Sequence, residues 1–453
     1  MRARVFAFVL VCSTLVQMLS LSHGSPLPES SSPLEPIANW TIPAEALTPY
    51  KCSQVDIFYQ SPPAFTLSTS SQGFITIIVV ASCHVDPVDA HRSLHDRPEQ
   101  LYNTSVLTLQ QSSNQVQSLA LPLDACHFST AQYGTASIPF FVPQGITSND
   151  TTLMVHCGND TNSVFVELTL DPQTGVLSVQ NTIAVPPQEG TQPGFGLARP
   201  VLAADGHTAA MFSGQRAGSM LTYATLDTAA FNLTGVWYNS YPDRYDTQVY
   251  AAEIQPTQQS YITAVVQSDR TWPNPQYSLQ QIDPFNSTVY AAWRLTSQAA
   301  CPVFLTADQG LLFFFGDDGR PQVTAFDFEA NTPVSKDTNA TLSLPWLGSP
   351  PTSWLQVVAE PARPAPKGSF CVYFSAPGVS TADSLGPHVI TQVRVDGLTG
   401  PASTPMITLL GTVNVTNPSN QAAPPTLVSQ PATFEIFALT GDAQSIMSFN
   451  AVC

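Results

Sequence analysis

Charge is the scarcest commodity in this chain. Of 453 residues 10% are charged, 15 Lys and Arg against 32 Asp and Glu, giving a formal net charge of −17. A phosphate backbone is held by a dense Lys/Arg footprint, so the balance argues against nucleic acid as a partner. Past the first two dozen residues no apolar run reaches spanning length, and the C-terminal Ser448-Phe-Asn-Ala-Val-Cys453 offers no tail for a lipid anchor, so no membrane span is expected. Helical periodicity of useful length is missing, and 40 prolines weigh against long helices. There is no G-x-S-x-G elbow, H-E-x-x-H pair, P-loop or dinucleotide fingerprint. No C-x-x-C spacing occurs, which argues against a structural zinc site or a redox dithiol.

What the N-terminus does contain reads as an export signal. Arg2 and Arg4 precede the apolar stretch Val5–Leu19, and Ser22 and Gly24 place small residues for cleavage after Gly24. Eight Asn-x-Ser/Thr sequons, at Asn39, Asn103, Asn149, Asn159, Asn232, Asn286, Asn339 and Asn414, suit a glycosylated exterior beside turns. The expected product is secreted, to the extracellular space or cell wall. Residues 1–24 are the signal peptide, 25–50 a Ser/Pro-rich lead, and 51–453 the folded part. Cys12 leaves with the signal, so seven of the eight cysteines remain, an odd number in a disulfide-forming setting.

Asp171, Asp227, Asp283, Asp327 and Asp396 each close a short apolar or alternating run, and they recur roughly every fifty residues. An Asp opening a turn satisfies nearby backbone amides, so these five read as structural. The units fall near 62–118, 136–185, 198–236, 247–295, 301–345 and 354–411, leaving a tail from about Pro424. Within them, Pro200-Val-Leu-Ala-Ala-Asp-Gly-His-Thr-Ala-Ala-Met-Phe-Ser-Gly214 and Pro302-Val-Phe-Leu-Thr-Ala-Asp-Gln-Gly-Leu-Leu-Phe-Phe-Phe-Gly316 share one rhythm: strand, acidic turn, apolar strand ending in Gly. That rhythm resembles the blades of pyrroloquinoline-quinone-type β-propellers. The resemblance implies an all-β propeller of four-stranded antiparallel blades, and the six units with the tail make seven blades the expectation. Quinone and dehydrogenase chemistry are not carried over, because the adjacent cysteine pair of that family is absent. The tail holds only three strands, so the seventh blade needs an N-terminal strand, expected near Cys52–Tyr59. Such a closure removes an open sheet edge. A Cys52–Cys453 disulfide would lock it, with Cys301–Cys371 and Cys126 with Cys83 or Cys157 as further pairings.

Three groups are candidate sites, all expected on the propeller face opposite the acidic turns. The loop from Cys83 to Glu99 gathers His84, Asp86, His91 and His95, imidazole and carboxylate ligands suited to a divalent metal; a solvated loop is the plainer alternative. Arg216, Arg270 and Arg320 each follow the second strand of successive units and could hold an anion bidentately, or be neutralised by Asp269, Asp317 and Asp318. Trp237, Tyr238, Tyr241 and Tyr245, expected in a connection between units, and Trp272 offer flat amphipathic surface to a sugar or protein, or packing between blades. The expected function is recognition of a glycan or protein ligand on the loop-rich face. The alternatives are a metal-dependent hydrolase or lactonase-like enzyme and a cell-wall or matrix component.

Overall fold

Short runs rich in β-branched and aromatic residues, punctuated by Gly, Pro and Asp, form strands throughout. The computed structural model describes residues 34, 36–42, 64–69, 75–84, 101–110, 116–120, 127–129, 143–146, 152–158, 163–171, 173–185, 201–202, 208–214, 220–240, 248–254, 262–269, 276–283, 288–295, 300–306, 311–316, 320–327, 332–334, 356–362, 368–381, 384–398, 405–415, 425–430, 435–440, 445–450 and 452–453. Among them there are strands and turns and no helix.

The strands make seven antiparallel sheets. Strand β1 (Pro36–Thr41) precedes the first of them. Sheet one holds β2 (Ala64–Thr69), β3 (Ile75–His84), β4 (Leu101–Gln110) and β5 (Val116–Ala120), with a short β6 (His127–Ser129) also on β4. Sheet two holds β7 (Pro143–Ile146), β8 (Thr152–Gly158), β9 (Ser163–Leu170) and β10 (Leu177–Val185). Sheet three holds β11 (Val201–Leu202), β12 (Thr208–Gly214), β13 (Met220–Asp227) and β14 (Asn232–Ser240). Sheet four holds β15 (Gln248–Ile254), β16 (Ile262–Asp269), β17 (Gln276–Ile282) and β18 (Val289–Arg294). Sheet five holds β19 (Ala300–Thr306), β20 (Leu311–Phe315), β21 (Pro321–Asp327) and β22 (Thr332–Val334). Sheet six holds β23 (Gln356–Pro361), β24 (Phe370–Thr381), β25 (Ser384–Asp396) and β26 (Met406–Val415). Sheet seven is built from β27 (Thr426–Gln430), β28 (Glu435–Leu439) and β29 (Ser445–Asn450), with β1 as its fourth member.

Each of the first six sheets is a meander in chain order, and their first strands lie side by side in sequence. β2 neighbours β7, β7 neighbours β11, and the series runs through β15, β19 and β23 to β27, which neighbours β2.

Packing between sheets explains the composition of the strands. In the unbroken apolar β20, Leu311, Phe313 and Phe315 pack on Val372, Phe374, Val393 and Val395 of sheet six. Its Leu312 and Phe314 face the other way, onto Val265, Tyr277 and Leu279 of sheet four. A strand buried on both faces loses the apolar/polar alternation of a half-solvated one, since successive side chains point to opposite faces. Phe315 meets Phe374 edge-on at 5.1 Å between ring centroids and Phe313 at 5.5 Å. Such pairs add about 0.5–1.5 kcal/mol each to their area burial.

Sheet seven is completed from the N-terminus, but by an earlier segment than Cys52–Tyr59, which lies outside the described residues. Pro36–Thr41 pairs antiparallel with β29, Thr41 opposite Ser445 and Asn39 opposite Met447. The segment 25–50 is therefore not merely a lead; the folded part begins inside it. Buried Leu34 and Ile42 flank β1, and Trp40 stacks on Phe437 at 6.0 Å. The alternation around Trp40 is enough for an outer strand, which needs only one buried face.

The disulfide expectation needs a larger correction. Cys453 is bonded to Cys371, not Cys52, and this also rules out Cys301–Cys371. Cys371 is buried at the start of β24 and projects toward sheet seven with Tyr373, so the chain end passes beneath it. Gln392 Nε2 donates to the Val452 carbonyl at 3.1 Å and to the Tyr373 hydroxyl at 2.9 Å, fixing the same tail. Cys126 with Cys83 or Cys157 falls on residues whose side chains are outside those described.

Candidate functional site

The meander fixes which connections share an end of the sheets. Turns from third to fourth strand lie at one end, and turns from second to third strand at the other. All five recurrent aspartates sit at the first end, at the close of β9, β13, β17, β21 and β25. Four have visible side-chain work there. Asp171 accepts from the Gln173 amide at 2.9 Å and the Thr174 hydroxyl at 2.7 Å. Asp227 accepts from the amides of Ala229 and Ala230 at 2.9 and 3.0 Å. Asp283 accepts from the Tyr290 hydroxyl at 3.2 Å, while Asp396 accepts from Ser369 Oγ at 2.6 Å and Arg394 Nε at 2.7 Å. Asp171 and Asp227 thus satisfy donors of their own turns, while Asp283 and Asp396 tie the turn to neighbouring strands.

The Asp171 turn has a pH consequence. The Thr174 hydroxyl first, then the Gln173 amide, holds its carboxyl below the ordinary aspartate value. A depressed value favours the fold above the unfolded-state pKa and loses that contribution as pH falls through the folded one. Thr174→Val should raise the Asp171 pKa toward its ordinary value, read by carboxyl NMR titration. An unmoved titration would deny the hydroxyl its role. Gly175 in the same turn has φ +71°, and its carbonyl accepts from Thr108 Oγ1 of sheet one at 2.6 Å.

At the other end lie the candidate binding residues. Arg320, at the mouth of β21, is exposed, and its carbonyl accepts from the Gly316 amide at 3.0 Å, closing the turn between β20 and β21. Arg216 falls between β12 and β13 in the chain, and Arg270 and Trp272 between β16 and β17; all three lie outside the described residues. Tyr241 and Tyr245, between β14 and β15, lie outside them too.

Trp237 and Tyr238 do not sit in a connection. They belong to β14, the outer strand of sheet three, opposite Tyr223 and Thr222. Both are half-buried, and burial pushes the Tyr238 phenol above its ordinary pKa. The strand extends this far because Val236-Trp237-Tyr238 has high β-propensity. The Trp237 indole lies over Gly235, where a Cβ would come within 1.9 Å of the ring. Gly235→Ala should therefore displace the indole, at a cost of about 1–3 kcal/mol, with a change in Trp fluorescence and a lowered unfolding midpoint. An unchanged spectrum and midpoint would remove the contact from the account.

The metal expectation falls on a loop outside the described residues. His84 ends β3, its side chain outside the described residues, as are Asp86, His91 and His95. Among the described residues, no group of three His, Cys, Asp or Glu could hold a metal ion. The sequons divide similarly. Asn39, Asn232 and Asn414 are exposed and lie in strands rather than turns. Asn103 is in β4 with its side chain outside the described residues, where Asn149, Asn159, Asn286 and Asn339 also fall.

No family model and no curated protein matches the chain. Among solved structures it is similar to the Dos1 propeller (TM-score 0.47, 11% identity, 92% of this chain and 95% of that one). It is also similar to Chaetomium thermophilum Sqt1 bound to the N-terminus of ribosomal protein L10 (0.44, 12%, 92% and 100%). A third likeness is to BamB from Moraxella catarrhalis (0.39, 13%, 92% and 97%). Nothing in these likenesses singles out the quinone-type propellers, and none transfers a ligand or an activity.

Proposed function

We propose that this is an exported, glycosylated seven-bladed β-propeller, closed by its N-terminal strand, that binds a ligand on the end carrying the second-to-third-strand turns. The seven sheets, the succession of their first strands back to the start, and the pairing of β1 with β29 support the closed ring. Export rests on the signal-like N-terminus and the sequons. No helix among the described residues is long and apolar enough to cross a membrane.

The observation that carries the binding reading is positional. Arg216, Arg270 and Arg320 occupy the equivalent connection of three consecutive sheets, in a chain with only 15 basic residues. Guanidinium groups so placed suit a carboxylate-bearing protein segment, which they bind with geometric specificity. The test is calorimetric titration with an oligo-aspartate peptide and, as a second arm, oligogalacturonate. Combined Arg216→Ala, Arg270→Ala and Arg320→Ala should weaken peptide binding about tenfold or more, with a smaller salt dependence in what remains. Equal binding by the parent and the triple variant would remove the arginine reading. Preference for the oligogalacturonate would move the ligand to an acidic glycan.

A further inference from the structure

Outer strands are the exposed flank of this molecule, and they carry two features together. Of the exposed large apolar residues among those described, Ile37 is on β1, Met406 and Leu409 on β26, and Val289 and Tyr290 on β18, each the fourth strand of its sheet. Val176 is the exception, in the turn that leads to β10. Apolar side chains on an unpaired edge invite strand pairing with a second chain. The three sequon asparagines whose side chains are described are exposed and also lie on fourth strands: Asn39 on β1, Asn232 on β14 and Asn414 on β26.

Strand periodicity turns the three acceptor asparagines outward. Asn39 and Thr41 are exposed while Trp40 between them turns inward, and Asn232 and Thr234 are exposed about a half-buried Leu233. Asn414 is exposed beside the buried Val415. At Asn39 a period of two puts the acceptor amide and Thr41 on one outward face and Trp40 inward; the Thr234 hydroxyl of the second sequon donates to Thr225 Oγ1 at 2.7 Å, and Thr416 of the third lies outside the described residues.

We propose that N-linked glycans at Asn39, Asn232 and Asn414 sheath the open sheet edges, keeping the molecule monomeric and leaving the turn-bearing end free for ligand. The proposal rests on the export reading, since the donor is a lipid-pyrophosphate-linked oligosaccharide of the secretory pathway. In the transfer the Asn amide nitrogen bonds to the anomeric carbon and loses a proton, and the sugar–phosphate C–O bond breaks as the lipid pyrophosphate leaves. The glycan then overhangs the edge and excludes a second strand sterically.

The full chain is produced in a eukaryotic secretory host, with site occupancy read by glycopeptide mass and assembly by light scattering. Asn39→Gln with Asn414→Gln removes the two glycans nearest Ile37, Met406 and Leu409. Asn149→Gln with Asn159→Gln removes two from connections between strands. The edge pair should raise the aggregated fraction about threefold or more over the connection pair, with the same unfolding midpoint. Adding Ile37→Thr and Leu409→Thr to the edge pair should restore the monomer. Empty sites on secreted protein, or equal aggregation in both pairs, overturns the proposal. Retention of the unprocessed chain inside the cell fails the export reading first, and this proposal with it.

Discussion

Cys371→Ser or Cys453→Ser is expected to destabilise the fold more than any other single change short of the core. The bond spans 82 residues. By chain entropy alone such a closure contributes about 4.5 kcal/mol, and measured losses for native bridges run at about 2–5 kcal/mol. The physical reason is specific to this architecture. Sheet seven is shared between the two ends of the chain, and its third strand, β29, ends three residues before Cys453 (453 − 450). With the bridge gone, the pairing of β29 with β28, the Gln392 hydrogen bond and packing of the tail on sheet six are left to oppose fraying of β29 and, through it, β1. Denaturant unfolding of the two variants and the parent reads the loss. A midpoint within experimental error of the parent would show that the bridge holds nothing the packing does not. Because Cys371 and the tail sit at the end of the sheets opposite Arg320, ligand binding by the surviving folded fraction should be unchanged.

Removing residues 36–41 is expected to have the second large effect. The deletion takes away five paired positions on β29, the stack of Trp40 on Phe437, and the fixed placement of buried Leu34. A stability loss of about 4 kcal/mol is anticipated, on the scale of truncating a buried Trp. The loss is not only thermodynamic. β29 becomes an open edge flanking Ile446 and Phe449, both fully buried in the parent. Concentration-dependent association should follow. Trp40→Ala alone should retain the strand pairing and cost less. If the deletion stays monomeric with the parent's midpoint, β1 is an accessory strand and not the closure.

Much of the fold was legible because its signals are local. Asp171, Asp227, Asp283, Asp327 and Asp396 mark the third-strand ends, and at Asp171 and Asp227 the turn contacts span only two or three residues. The first six units predicted from the repeat coincide closely with the observed sheets, as 247–295 does with β15–β18. The chain-closing strand was legible as a requirement but not as a place. Pro36-Ile-Ala-Asn-Trp-Thr41 is six residues in a Ser/Pro-rich stretch, and only its pairing with β29 distinguishes it. The partner of Cys453 was hidden for a related reason. Cys371 lies at the start of an apolar strand run, and nothing in its neighbours reveals that the C-terminus turns back beneath it. Trp237 and Tyr238 are expected in a connection between units, but β14 runs on through them to Ser240 across Gly235. In the structure Gly235 is a seat for the Trp237 ring.

Of the candidate site, the sequence conveyed the recurrence of arginines after second strands, and the strand boundaries preserve it. Which groups converge depends on side chains in connections, whose directions no local pattern encodes.

One strand from near the start of the chain and three from its end make up the last sheet. Cysteines at Thr41 and Ser445, directly paired in register, test this most directly. Purified without reductant, Thr41→Cys/Ser445→Cys should form the new bridge beside Cys371–Cys453, seen as a cross-linked proteolytic peptide. A chain in which Cys371–Cys453 forms while residues 41 and 445 remain as free thiols would contradict it.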